Sequence, residues 1–216
     1  MAALRGIKTQ QSNIQEAAPS SAALNFPAPS SDNVPDLIPH CGLDDPHLFT
    51  VITYNAHSLL APARMEMLME ELAGIQWDVV ALTETWREHQ RENVQVRGNH
   101  MFYGSGGRRG QRGVGFLVHE RLGKHKFTAV YERIAVLELA GRMGKFWIIC
   151  VYMPDATYPD ETVSLVYQML EELLRNATRR NIACLLAGDL NAQLGARSDF
   201  DDPYVTGPFG CFPCNA

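Results

Sequence analysis

Apolar residues recur along this chain in two rhythms. Leu48-Phe-Thr-Val-Ile-Thr-Tyr54, Asp78-Val-Val-Ala-Leu-Thr83, Val114-Gly-Phe-Leu-Val118, Trp147-Ile-Ile-Cys-Val151 and Ala183-Cys-Leu-Leu-Ala187 are short apolar runs with the length of strands. Phe127 to Leu139 and Lys145 to Tyr152 are rich in β-formers, and Gly141-Arg-Met-Gly144 between them reads as a hairpin turn. The second rhythm is helical. From about Ala63 to Gln76, Met65, Leu68, Met69, Leu72 and Ile75 share one side; Pro62 suits the first turn and Gly74 weakens the end. From about Asp160 to Asn181 the stripe is Val163, Val166, Tyr167, Leu170, Leu173, Leu174 and Ala177, with Asp160 as the expected N-cap. Interleaved strands and helices with antiparallel pairs in the middle predict an α/β protein with mixed sheets.

Residues 1 to 46 break both rhythms. Ser20-Ser21, Pro27-Ala-Pro29 and Ser30-Ser31-Asp32 lie in a stretch rich in Ala, Ser, Pro, Asn and Gln, which reads as a disordered leader. The folded domain is expected over 47–216.

Composition narrows the class. Hydrophobic residues make up 46% and charged residues 20% of the chain, as in soluble globular proteins. The net charge of −5 supplies no broad basic surface for duplex binding. Five cysteines form no even framework, so a reducing compartment, nuclear or cytoplasmic, is expected. Cys211 and Cys214 form one CxxC without a second pair, too little for a zinc site. No apolar run has the length of a membrane span.

Chemistry gathers where strands end. The first run ends at Asn55, the second at Glu84, and the last in Gly188-Asp189-Leu190-Asn191. In layered α/β proteins, ligand sites collect at the carboxyl ends of strands. Two carboxylates and two carboxamides there suit a hard cation such as magnesium, which takes oxygen ligands and keeps several waters. On an extended chain, Asp189 and Asn191 would point to the same side. Tyr152 leaves another strand, and Pro154 stops that ladder. Its hydroxyl is placed either to donate to a phosphate or to pack with its tip in water. Arg108, Arg109 and Arg112, set among glycines, read equally as nucleic-acid backbone contacts and as a solvated hairpin tip. His100, His119 and His125 read as surface residues.

The order Thr53-Tyr-Asn55, Leu82-Thr-Glu84, Gly113-Val-Gly-Phe116, Val151-Tyr-Met-Pro154 and Gly188-Asp-Leu-Asn191 resembles the endonuclease/exonuclease/phosphatase superfamily. Within it, the order is most similar to the apurinic-type endonuclease domain of non-LTR retrotransposons and to craniofacial-development-like proteins. The resemblance implies a two-sheet α/β sandwich of the DNase I-like type. It also implies a magnesium-dependent phosphodiesterase, with manganese as the alternative metal and DNA as the ancestral substrate. By position, Asn55 and Glu84 resemble the metal-site residues, with Glu84 the direct ligand. Tyr103 is similar to a phosphate-side tyrosine, and Tyr152 to the one that contacts the scissile phosphate. Asp189 resembles the carboxylate that handles the attacking water, and Asn191 its transition-state neighbour.

Two departures qualify this. Some relatives carry an acid where this chain has His57, a poor magnesium ligand that remains able to hydrogen-bond a phosphate. The family's domain also continues to a Ser-Asp-His motif, absent before Ala216. The expectation is therefore a sandwich lacking its last strands, with impaired activity. The alternatives are an inactive transposon-derived fragment or interaction protein, and a phosphoinositide or sphingolipid phosphoester hydrolase.

Overall fold

A computed structural model describes residues 49–87, 92–107, 111–141 and 144–192. The expected leader, residues 193–216, and the side chains of Arg108 and Arg109 lie outside the described residues. Nine strands and two helices make up the described part. In chain order they are β1 (Val51–Asn55), α1 (Pro62–Leu72), β2 (Val79–Thr83), β3 (Glu92–Gln95), β4 (Met101–Gly104), β5 (Gly115–Val118), β6 (His125–Tyr131), β7 (Ile134–Gly141), β8 (Gly144–Tyr152), α2 (Asp160–Arg179) and β9 (Ala183–Asp189).

They form two mixed sheets. One has the order β1-β2-β5-β4-β3, the other β6-β7-β8-β9. Each contains one parallel pair, β1 with β2 and β8 with β9. A parallel pair needs a crossover, and α1 and α2 supply the two. The remaining pairs are antiparallel, including the expected hairpin, whose register closes at Gly141 opposite Gly144. The result is the DNase I-like α/β sandwich.

Strand alternation sets the two sides of the core. On β2, Val80 and Leu82 join Met65, Leu68, Met69 and Leu72 of α1 in one apolar cluster. Val79 and Ala81, on the opposite face, join Ala135, Leu137, Ile148 and Cys150 of the other sheet. All five residues of β2 are buried, which is why that run carries no polar alternation. The Cys150 thiol sits in this inter-sheet layer, 3.4 Å from the Leu82 carbonyl oxygen. Burial pushes its pKa up to about 12, so it is an inert core residue.

Several boundaries differ from the expectation. α1 ends at Leu72, and Ile75, assigned to its apolar side, is exposed. The buried stripe of α2 is Val166, Leu170, Leu173 and Ala177, while Tyr167 and Leu174 face solvent. An i, i+4, i+7, i+11 row is narrower than the apolar pattern suggested. Pro159 occupies the N-cap of α2, and Asp160 opens its first turn, where a carboxylate favours the helix dipole. The β-rich run 127–139 is two strands, split at Glu132-Arg133.

The three histidines are packed rather than loose on the surface. The His100 and His119 rings lie 4.5 Å apart, 5.1 and 4.9 Å from Trp77. Their Nδ1 atoms accept from the backbone N–H groups of Glu120 and Arg121. His125 Nδ1 lies 2.8 Å from the Gly123 carbonyl oxygen, to which it donates, leaving Nε2 as an acceptor. Nearby, the fully buried Asp78 accepts from Thr50 N at 2.8 Å and from Arg121 Nε at 2.6 Å. It thereby ties the starts of β1 and β2 to the chain after β5.

At the far end of the second sheet, Glu138 accepts from Lys145 Nζ and Trp147 Nε1, both at 2.8 Å, with Arg180 Nη2 at 4.0 Å. Burial pushes its carboxyl up, but these donors and the lysine and arginine charges outweigh it, so the pKa lies below the ordinary glutamate value of 4.5. A depressed carboxylate stabilises the fold above its unfolded pKa, and that contribution is lost as pH falls through the folded value. The stability difference between wild type and Glu138→Gln is therefore expected to be full at pH 7 and to shrink below about pH 4.5. Urea unfolding at pH 7, 5 and 3 measures it, and a pH-independent gap contradicts the assignment.

Candidate functional site

Parallel pairing places the site. Asn55 ends β1 opposite Thr83, and Glu84 follows directly, so the two side chains leave adjacent strands together. Tyr152 ends β8 opposite Asp189 at the end of β9. The sheets then bring these ends to one place. Asn55 Nδ2 donates to Glu84 Oε1 at 2.8 Å and reaches Asp189 Oδ2 at 3.5 Å. Tyr152 OH donates to Glu84 Oε1 at 3.2 Å. Gly188 N–H meets Thr53 Oγ1 at 3.4 Å, a further bridge between the sheets.

Glu84 is held in an unusual backbone. Its φ is 52°, in the left-handed region that non-glycine residues seldom occupy. Contacts on both sides enforce it: Ser58 N–H donates to Glu84 O, Leu59 N–H to Thr85 O, and Thr85 N–H to Gly113 O. Gly113 is required there, since a Cβ on it would lie 2.5 Å from Thr85 Oγ1, and its φ is +82°. Strain at an over-determined carboxylate is a common property of functional sites. The Thr83 and Thr85 hydroxyl oxygens are buried without a hydrogen-bond partner among the described residues.

The electrostatics set protonation. Burial would raise the Glu84 pKa, but hydrogen bonds from Asn55, His57 and Tyr152 outweigh it and hold the carboxyl below the ordinary range. Glu84 is thus an anion at neutral pH. Tyr152 goes the other way: burial and the Glu84 charge raise it, against smaller pulls from Arg133 and Asn191, so its phenol stays protonated and donates. His57, largely exposed, places Nδ1 3.2 Å from Glu84 Oε2, and its backbone N–H donates to Asn55 Oδ1. Its imidazole therefore faces the Glu84 carboxylate.

Other expected residues are engaged elsewhere. Tyr103 OH donates to His125 Nε2 at 2.7 Å, and its ring stacks on Phe127 at 5.3 Å, beside the inter-sheet core. Arg112 pairs with Glu132 and donates to Tyr158 OH at 3.3 Å. It is neither a bare hairpin tip nor an open cation. Asn191 does not share the direction of Asp189. The chain leaves the extended conformation there, with φ 46° at Asn191, whose backbone N–H donates to Asp189 Oδ1 while its amide donates to Met153 O. Sequence reading missed Arg133 and Tyr158, which pack against Tyr152 and Arg112. The signal for Arg133 was a charged pair inside an otherwise β-rich run.

Glu84 and Asp189 form a set of two carboxylates, and Asn55 turns its NH2 toward both while its Oδ1 accepts from His57 N–H. Among the described residues, no three His, Cys, Asp or Glu side chains are grouped to cage a metal. The set therefore fits a hydrated hard cation held by one or two carboxylates, and does not fit zinc.

Two facing mixed sheets with polar residues converging at their strand ends define a DNase I-like sandwich. The sequence profile of the Endonuclease/Exonuclease/phosphatase family matches residues 52–212, and the chain belongs to that family. Among solved structures, the AP endonuclease LMAP from Leishmania major matches at 18% identity and TM-score 0.55, over 76% of this chain and 61% of that one. The endonuclease domain of TRAS1, a telomere-specific non-LTR retrotransposon, matches at 16% identity and TM-score 0.42, over 70% and 61%. The 3'-5' exonuclease NExo from Neisseria meningitidis matches at 18% identity and TM-score 0.47, over 67% and 59%. This chain thus spans about three fifths of each structure's length. No curated protein matches it. Among the described residues, no helix is long and apolar enough to cross a membrane.

Proposed function

We propose that this chain hydrolyses phosphodiesters, with nucleic acid as substrate and magnesium or manganese as cofactor. The observation that carries the reading is Glu84, fixed in a strained backbone and hydrogen-bonded by Asn55 and Tyr152, with Asp189 beside the same amide. Family membership and the shared fold support it.

In this reading Glu84 would hold the cation, joined by Asn55 once its amide turned its oxygen from His57 N–H toward the carboxylates. When bound, the cation would supply Lewis-acid stabilisation to the phosphate and the departing oxygen. Asp189 orients a water molecule and accepts its proton, with Asn191 fixing the carboxylate from behind through its backbone N–H. Tyr152 stays protonated and donates to a phosphate oxygen, the donor role it now plays toward Glu84. His57, largely exposed beside Glu84, is assigned to the substrate side.

Incubation of the purified chain with supercoiled plasmid and magnesium tests the proposal. Nicking that chelation stops and that both Glu84→Gln and Asp189→Asn remove supports it. Absence of nicking by folded protein over long incubation overturns it.

A further inference from the structure

Arg133 has an environment that stability alone does not explain. The residue is 1% exposed, yet Nε and Nη2 have no hydrogen-bond partner among the described residues. A buried guanidinium left so incompletely bonded is destabilising, and an apolar residue of similar length would normally serve packing better. What contacts it does make fall largely on one residue. Nη1 donates to Tyr152 O at 3.2 Å, Arg133 O accepts from Tyr152 N–H at 2.9 Å, and the guanidinium carbon lies 5.0 Å from the centre of the Tyr152 ring. The Tyr158 ring closes the other contact, at 4.7 Å.

We infer that Arg133 is a positioning residue for Tyr152. It fixes both backbone polar groups and the ring of Tyr152, so that the phenol hydroxyl is delivered to the Glu84 side of the cleft at 3.2 Å. A cation against the ring also draws electron density from the phenol, making the hydroxyl a stronger donor. Tyr158 acts as the backing plate: it stacks on Arg133 and hydrogen-bonds Arg112, which ties the loop after β8 to the glycine-rich loop. The consequence for catalysis rests on the phosphodiesterase reading, whereas the hold on Tyr152 does not.

The experiment has two arms for that reason. The first is NMR of ring-¹³C-labelled tyrosine in the full chain, with Tyr152 assigned from Tyr152→Phe. In Arg133→Met the Tyr152 ring signals are expected to shift and to average toward fast flipping, while Tyr103 keeps its wild-type signals. Arg133→Lys, which retains the charge, is expected to lie between the two. Unchanged Tyr152 signals in Arg133→Met overturn the inference, and if that variant does not fold, unchanged signals in Arg133→Lys do so. The second arm is the nicking rate. Arg133→Met is expected to lower kcat about 10- to 100-fold with KM within about twofold, and to have under about twofold further effect on a Tyr152→Phe background. An equal loss on both backgrounds marks Arg133 as generally structural and overturns the inference. If wild type does not nick, the functional reading falls and the tyrosine signals alone decide the role of Arg133.

Discussion

Glu84→Gln is expected to lower magnesium-dependent nicking by at least about 10²-fold while leaving the fold intact. The amide replaces the carboxylate almost atom for atom. Its oxygen can still accept from Asn55 and Tyr152, and its NH2 can donate to Nδ1 of a neutral His57, so the hydrogen bonds around position 84 survive. What is lost is the charge that, in the proposed reading, would draw a cation to this end of the sheets. The unfolding free energy is therefore expected to change by under about 1 kcal/mol, while the manganese dissociation constant rises at least about tenfold. Plasmid nicking, urea unfolding and manganese titration separate these effects. Wild-type nicking with weakened manganese binding would show that the cation is incidental to the reaction.

The second large effect is structural. Gly188 has φ +122°, and a Cβ built on it would lie 1.9 Å from Val151 O and 2.8 Å from Val151 N. Those atoms belong to the backbone of β8 in its parallel pairing with β9, so no side-chain rearrangement relieves the overlap. Gly188→Ala is expected to pull the end of β9 away from β8 and to destabilise the fold by about 3 kcal/mol or more. Asp189 moves with it, so nicking should fall as far as in Asp189→Asn. Gly144→Ala is the control, because Gly144 has a similar φ of +117° but nothing within 4 Å of its Cβ position among the described residues. It carries only backbone strain, about 1 kcal/mol. Equal urea midpoints for the two variants would refute the argument from close approach.

Asn55, Glu84, Tyr152 and Asp189 were legible in the sequence because each closes an apolar run, and a strand buried by its neighbours can deliver a polar residue only at its end. The fold class followed from the same runs and the two helices between them. What stayed hidden depends on directions that no local pattern encodes. The side chain of Asn191 departs from that of Asp189 because the backbone turns left-handed within two residues. The Tyr103 hydroxyl is taken by His125, a partner 22 positions away on the other sheet. Arg112 looked like an open cation because its counter-ion, Glu132, belongs to a turn the β-rich pattern concealed. The helix ends erred for a simpler reason: apolar spacing continues to Ile75 although hydrogen bonding stops at Leu72.

The bond between Asn55 and Asp189 joins residues 134 positions apart, whereas Asn55 and Glu84 are 29 apart and share one sheet. Half of the cleft can therefore assemble from local parallel pairing, and the other half exists only after both sheets have docked. Contacts of such long range form late in folding. Nicking, which in the proposed reading needs Asp189 of one sheet beside Glu84 of the other, is consequently a clock for sandwich closure: in a refolding experiment it should appear with the final burial of Cys150 and not with the first sheet.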